Sequence, residues 1–314
     1  MKRVLVIIVT YNGMRWLDRC LSSVISSPST VISSEVEKSV FVVDNDSTDG
    51  SADWIQGHFP GVKLVRSAEN LGFTKANNLG FEWAVSHGYD YVYLLNQDAW
   101  LEPGAMETLV SAAEAHPEYA VLSPLQMTDG YKAFDAQFER IFKPGTECGV
   151  SVSEKQKNGH AGTEYGVSVS EPKEVRRVMA AHWLLRVEAL KEIGQFSGIF
   201  PFYGQDDDWC NRARYHGWRI GIVPEARAVH DRAQRKEAKE RIIDRNYRVG
   251  SLVRLCDVNR PLWERFLFVC AFTLVKSVKY LSFAPFRHFA GICSRMKEIK
   301  SARMAARKGG MKFV

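Results

Sequence analysis

Apolar positions recur along the chain with two different periods. Val4–Val9 is a near-continuous apolar run ending in Thr10, Tyr11 and Asn12, the pattern of a parallel strand covered on both faces. Trp16, Leu17, Cys20, Leu21, Val24 and Ile25 then follow at helical spacing. Val40–Val43 predicts a second strand, ending in Asp44, Asn45 and Asp46, and DSTDGS supplies turn and cap residues before a short helix around Ala52–Gln56. A third short strand, Val62–Val65, leads through ENLGFTKANNLG into a helix that runs to about His87. Tyr91–Leu95 reads as a buried strand that passes directly into Asn96, Gln97 and Asp98. Strand and helix alternate as in a doubly wound α/β sheet. Three strand ends should then bring Thr10 and Tyr11, Asp44, and Asp98 to one edge of it.

The second half is less regular. From Cys148 to Val175 the chain turns polar and carries GVSVSE twice, at Gly149–Glu154 and Gly166–Glu171; VISS likewise recurs at Val24 and Val31. Duplications this short suggest surface insertions rather than a repeat fold. Order returns at Val175–Arg186, with a helix starting at Val187. In GIFPFYGQDDDWCNRARYHGW, aromatic residues and three consecutive carboxylates precede a helix that stops at Gly217. A last strand, Arg219–Val223, leads through Pro224 to His230, and the remainder is helical and basic. This divides the chain into 1–128, 129–230 with the polar insertion near 148–175, and a tail at 231–314.

Composition sharpens the picture at three points. At 314 residues with 46% apolar content, the chain can build one large α/β domain or two smaller ones. Its six cysteines are scattered and the start MKRVLVIIVTYN lacks a signal-peptide pattern, so reduced cytosolic thiols are expected. The net charge of +6 conceals an asymmetry: residues 231–314 hold 20 Lys and Arg against 7 Asp and Glu, a surplus of 13 that leaves −7 for residues 1–230. Such a tail meets an anionic surface, nucleic acid or phospholipid. Its longest uncharged apolar run, Phe266–Val275, is ten residues, about half of a bilayer-crossing helix. An apolar, aromatic helix flanked by cations fits the membrane interface, or a helix that packs on the core or on a second subunit. Among rival functions, a dinucleotide-dependent oxidoreductase needs a Gly-rich pyrophosphate loop, and no two glycines are separated by a single residue. The tail has no nucleic-acid-binding motif and the acidic body would repel phosphate, so no nucleic acid is expected as partner.

Chemistry concentrates at the strand ends. Asp98, after a buried strand, can hold a divalent cation against a substrate's phosphates or cap the helix after Pro103. The segments VIIVTYNGMRWLDRCLSSV, VVDNDSTDGS, NLGFTKANNLG, LLNQDAWLEPGA, MAAHWLLRVEALKEIGQF and FYGQDDDWCNRARYHGW occur in an order that resembles glycosyltransferase family 2, most of all its bacterial surface-polysaccharide and rhamnosyltransferase-like members. The resemblance covers residues 4 to about 230. It implies a GT-A type, Rossmann-like α/β fold with a mainly parallel sheet, and an inverting transfer from a UDP- or dTDP-sugar to a glycan or lipid-linked acceptor.

Residue by residue, the resemblance implies that Thr10, Tyr11, Asn12 and Asp44 hold the base and ribose, with Asn70, Lys75, Asn78 and Asn96 beside the nucleotide. An imide N–H of uracil or thymine suits a carboxylate such as Asp44, although Asp44 can also form a turn with Ser47 and Lys75 can be a solvated helix residue. The family's Asp-any-Asp metal motif reads Asn96, Gln97, Asp98 here, so only the second acid is kept. Asp98 and His230 would hold Mg2+ or Mn2+, with diphosphate oxygens and water completing the shell. Asp206 takes the place of the base that receives the acceptor's proton, with Asp208 the alternative if the register slips. Adjacent carboxylates should raise its proton affinity. His182, Trp183, Tyr203 and Trp209 are expected on the acceptor side, Trp183 alternatively in the core. The implied setting is the inner face of a cell membrane, bound peripherally through the tail, with a homodimer open. Because Asn96 and Gln205 depart from the family pattern, a non-catalytic nucleotide-sugar binder is the competing reading.

Overall fold

The computed structural model describes residues 1–25, 36–130, 133–141, 171–231 and 239–310. The GVSVSE duplication and the second VISS lie outside the described residues. In chain order the first half comprises β1 (Lys2–Thr10), α1 (Met14–Ile25), β2 (Val36–Asp44), α2 (Ser51–His58), β3 (Lys63–Arg66), α3 (Gly72–Ser86), β4 (Tyr91–Asn96), β5 (Ala99–Leu101), α4 (Ala105–Ala115) and β6 (Tyr119–Met127). The second half follows with α5 (Ala136–Ile141), β7 (Lys173–Glu174), β8 (His182–Arg186), α6 (Val187–Ile193), α7 (Gln205–Tyr215), β9 (Arg219–His230), α8 (Lys239–Cys256), α9 (Leu262–Tyr280), α10 (Ala284–Ser294) and α11 (Met296–Lys308).

The strands form one sheet in the order β3-β2-β1-β4-β8-β6-β9-β5, with β7 also on β9. β1, β2, β3, β4, β6 and β9 run in one direction, and β5, β7 and β8 run against them. The sheet is thus mainly parallel, as the alternation predicts. Pleating sends successive side chains of β1 to opposite faces. Val4, Val6 and Ile8 join Leu17, Leu21, Tyr93 and Leu109 under α1 and α4, while Leu5 and Ile7 join Phe81, Trp183, Phe196 and Trp209 under α3, α6 and α7. Each fully buried aliphatic side chain contributes about 1.5–3 kcal/mol.

Two strands depart from the sequence expectation. β6 is buried along its whole length and carries Pro124, where its register against β9 shifts; a run without alternation and with an internal proline gives no strand signal. β9 continues through Pro224 to His230 as one strand rather than ending at Val223. That continuation places His230 beside Ala99 of β5.

The residues after His230 do not hang off the body. Ile199 and Phe200 share a core with Leu252, Leu255, Val269, Ile292, Ile299 and Ala302 of α8–α11. Arg295 Nη2 donates to the Ile199 carbonyl at 3.2 Å, and His216 Nε2 meets the Ala306 carbonyl at 2.8 Å.

Candidate active site

Because six strands point the same way, their carboxyl ends share one edge: Thr10, Asp44, Asn96, Met127 and His230. β8 runs against them, so its first residue, His182, reaches the same edge opposite Leu95. Strand direction alone therefore gathers most of the sequence-predicted donor-side residues.

At the β1 end, Gln97 acts as a latch. Its Oε1 accepts from Thr10 Oγ1 and from the Tyr11 backbone N–H, both at 2.8 Å, and its Nε2 donates to the Tyr11 carbonyl at 3.2 Å. Gly13 must be glycine, since a Cβ there would meet Gln97 Oε1 and lie 2.5 Å from Thr10 Oγ1. Asn12 sits at φ 49 and accepts from the Thr48 N–H at 2.9 Å. Asp44 is buried; its Oδ2 accepts from the Ser47 N–H at 3.2 Å while its Oδ1 has no hydrogen-bond partner. The turn reading and the ligand reading thus apply to different oxygens of one carboxylate, and the bare Oδ1 is the acceptor that an imide N–H would satisfy. Asn45, which sequence reasoning passed over, ties this end to the next loop: its Nδ2 donates to Asn70 Oδ1 at 2.9 Å and its Oδ1 accepts from the Leu71 N–H at 2.7 Å. Asn70 and Lys75 are exposed and Asn96 half-buried. Asn78 is taken up elsewhere, with both ends of its amide bonded to the Phe196 backbone at 3.0 Å. Its predicted nucleotide contact is therefore corrected to a structural one.

Asp98, two residues past β4, and His230, the last residue of β9, meet with both side chains buried, Oδ1 and Nε2 3.5 Å apart. Asp98 does not cap the helix after Pro103, because α4 begins at Ala105 behind Gly104. Two neighbouring ligands of one Mg2+- or Mn2+-like ion stand about 3 Å apart, so the pair fits two positions of such a site. Among the described residues no group of three His, Cys, Asp or Glu side chains surrounds a metal position; the remaining positions would fall to diphosphate and water. His230 Nδ1 faces a second buried carboxylate, Asp135 Oδ2, at 3.8 Å. Asp135 Oδ1 meanwhile caps α5 by accepting from the Phe138 N–H at 3.0 Å. No motif marks Asp135 in the sequence; it lies between a strand and helix that the periodicity does not separate.

His182 is sealed in. Burial holds its pKa down at about 3, helped by neighbouring His230. The neutral ring donates from Nε2 to the Val229 carbonyl at 3.0 Å and accepts at Nδ1 from the Tyr93 hydroxyl at 2.9 Å. Trp183 and Trp209 are buried against each other at 5.8 Å between ring centroids, and Trp209 Nε1 donates to the Gly194 carbonyl at 2.7 Å. These three cannot touch an acceptor from solvent, which corrects the acceptor-side expectation for them. Tyr203 stands exposed at φ 64, beside exposed Phe202.

The three carboxylates of the QDDD stretch occupy the first turn of α7 and have three different fates. Asp208 is buried against Arg212, Oδ2 to Nε 2.9 Å, whose Nη1 and Nη2 donate to the Ile193 and Gln195 carbonyls at 2.9 Å. It is structural. Asp207 takes Arg177 Nη1 at 2.6 Å. Asp206 remains half-buried, its Oδ1 accepting from the Asp207 N–H at 3.0 Å. Burial, then the charge of Asp207, push its pKa up to about 6, against the opposing pull of Arg177. A carboxylate that has lost part of its solvation is a stronger base than an exposed one. Arg177, which holds Asp207, stands four residues before Ala181, whose carbonyl accepts from the Asn96 N–H at 3.1 Å at the end of β4. The loop before Asp206 also touches the donor side, since Gly72 at the start of α3 lies under the Phe202 ring and Thr74 Oγ1 bonds the Phe200 carbonyl.

Comparison with known proteins agrees with this geometry. The chain is 28% identical over 239 residues, 73% of its length and 76% of the relative's, to N-acetylglucosaminyl-diphospho-decaprenol L-rhamnosyltransferase of Mycobacterium tuberculosis. Among solved structures, the mannosyltransferase PcManGT of Pyrobaculum calidifontis, in complex with GDP-Man and Mn2+, superposes with a TM-score of 0.56 at 16% identity, over 96% of this chain and 83% of that one. S. aureus TarS 1–349 in complex with UDP-GlcNAc gives 0.54 at 16% identity, over 85% of this chain and 70% of that one. Both likenesses concern the fold, which is of the GT-A type. The sequence model of Glycosyl transferase family 2 matches residues 5–194, and with the strand-end edge in place the conclusion is plain: the chain is a glycosyltransferase and belongs to family 2.

Proposed function

We propose that this glycosyltransferase inverts: it takes a sugar from a UDP- or dTDP-linked donor and transfers it to a hydroxyl of a lipid-linked glycan acceptor, in cell-surface polysaccharide synthesis. The observation that carries the reading is Asp206, a half-buried carboxylate with a raised pKa at the start of α7, the one acid of its triplet not held by an arginine. Asp206 would receive the acceptor hydroxyl's proton as that oxygen forms its bond to the anomeric carbon and the bond to the diphosphate breaks. Asp44 Oδ1 would accept the imide N–H of uracil or thymine, and the loop latched by Gln97 would carry the ribose. Asp98 and His230 would hold Mg2+ or Mn2+, which when bound supplies positive charge for the leaving diphosphate. The lipid-linked acceptor follows from the rhamnosyltransferase relative, whose own acceptor carries a decaprenol chain. Such an acceptor calls for a peripheral position on the inner face of the membrane, and no helix among the described residues is long and apolar enough to cross one.

The test is a donor screen with Mn2+, scored both for binding and for sugar release, on the native chain and on Asp206→Asn. Native chain should release sugar and Asp206→Asn should lose transfer about 10²-fold or more while UDP affinity stays within a few-fold. Binding of UDP without any release by the native chain would favour the non-catalytic reading, to which Asn96 and Gln205 point.

A further inference from the structure

The helices after residue 239 leave one apolar face uncovered by the described residues. Trp263, Leu267, Leu274 and Val278 are exposed along α9, and the stripe continues into the turn between α9 and α10 with Leu281, Phe283 and Phe286. At that turn Leu281 is 94% exposed and Phe283 86%. The opposite face of α9 is spoken for: Val269 and Thr273 are buried against α8, and Thr273 Oγ1 bonds the Tyr247 hydroxyl at 2.5 Å. Of the ten-residue run Phe266–Val275, Val269 and Thr273 belong to the core, while Leu267 and Leu274 belong to the exposed stripe, which extends beyond the run.

We propose that this stripe and turn are a docking surface for an anionic phospholipid bilayer, and that they bring the bilayer to the acceptor side of Asp206. The inference rests on the glycosyltransferase reading for its purpose but not for its physics. Two features select lipid over a second copy of the chain. Between Glu264 and Glu298 there is no acidic residue, while Arg265, Lys276, Lys279, Arg287, Arg295 and Lys297 are all basic. Arg265 and Arg295 are paired inside the protein, with Asp257 and Glu298. Lys276 and Lys279 flank the Tyr280 ring at 5.4 and 6.0 Å, and Arg287 is exposed beyond the turn. A twofold interface would set these cations against their own copies, with no carboxylate between Glu264 at the start of α9 and Glu298 to pair them. An anionic bilayer neutralises them and takes the aliphatic and aromatic tips at its headgroup boundary. The second feature is position. Arg245 of α8 lies over the Tyr203 ring at 4.3 Å, and Val249 and Val253 pack on Gly204, two residues before Asp206. Tyr247, between them, reaches Thr273 of α9 and the His288 ring of α10. Helix α8, about 10 Å wide, is thus the layer between the start of α7 and α9 at Thr273, and the turn lies eight residues, about 12 Å, further along α9.

The experiment is flotation of the full chain with vesicles of phosphatidylcholine plus phosphatidylglycerol, and of phosphatidylcholine alone. It compares the native protein with the double variant Leu281→Glu/Phe283→Glu and with Lys276→Glu/Lys279→Glu. The turn variant changes exposed side chains and the lysine variant one exposed and one half-buried side chain, and an unaltered thermal shift with UDP and Mn2+ verifies their folding. The native chain should float with the anionic vesicles, each variant should bind them about tenfold less or worse, and donor hydrolysis in solution should be unchanged. Native protein that stays unbound, or a turn variant that floats like the native chain, overturns the proposal. So does a concentration-dependent dimer in sedimentation that the turn variant abolishes, since the face would then belong to a second copy. Loss of hydrolysis in the native chain would instead count against the proposed reaction and leave the flotation result standing.

Discussion

At the scale of single residues, environment rather than identity sorts the candidates. Asp206, Asp207 and Asp208 are chemically equal in the sequence, yet Arg212 claims the third, Arg177 the second, and the first is left to titrate. If Asp206 is the base, the rate should rise with pH along a limb near its pKa of about 6, because only the ionised form accepts a proton. Asp207→Asn removes a negative neighbour and should move the limb to lower pH by roughly half to one unit; Arg177→Ala removes the opposing cation and should move it up. A kcat/KM profile checks both, and limbs that stay in place would separate Asp206 from the proton transfer. Asp135 makes a second prediction. Metal-ligating imidazoles usually orient through a carboxylate on their other nitrogen, and Asp135 Oδ2 occupies that position toward His230. Asp135→Asn keeps an oxygen to cap α5, so Tm should change little, while Mn2+-dependent UDP binding measured by calorimetry should weaken about tenfold.

The same scale explains what was legible. Thr10 and Asp44 could be placed because each ends a strand, and Asp98 because it follows one by two residues, strand direction carrying such side chains to a known edge; His230 rested on the resemblance, since the expected strand stopped at Val223. Trp183, Trp209 and His182 could not, because a residue on a strand buried on both faces, or on the inner side of a short helix, carries no periodic mark distinguishing core from pocket. Gln97 stood inside a recognised triplet, yet its role as a latch depends on a loop 86 residues earlier.

At the scale of elements, close backbone approaches fix how the site is assembled. Gly204 adopts φ 86, and a Cβ there would stand 2.8 Å from Val249 Cγ1 and 2.9 Å from Val253 Cγ2. It lets α8 lie directly on the start of α7. Gly204→Ala should cost about 1–3 kcal/mol in chemical denaturation and lower activity more than it lowers UDP affinity, since it disturbs the turn before Asp206 and not the donor edge. Equal losses of activity and affinity would place the damage in the whole fold. The β1–α1–β2 opening was readable because its periods are clean; β6 was not, since burial on both faces erases alternation and Pro124 argues against a strand.

At the scale of the whole molecule, the basic 231–314 segment is less separable than its composition suggests. Charge marks it off, but Phe200 and Ile199, from the loop ahead of α7, are buried in its core. Truncation after residue 260 would remove Val269, Ile292, Ile299, Ala302 and Ala306 from that core. The truncated chain should aggregate or melt at lower temperature in a thermal scan, rather than behave as a soluble enzyme freed from its membrane. A truncated chain with unchanged Tm would show that the body folds without these helices.

The antiparallel placement of β8 has a further consequence. The chain leaves the catalytic edge after β6, where Asp135 pins its departure beside His230, and is fastened again on return by the pairing of Lys173 and Glu174 with β9. Departure and return are thus both secured to one strand, so loosening either fastening should be felt along β9 as far as His230.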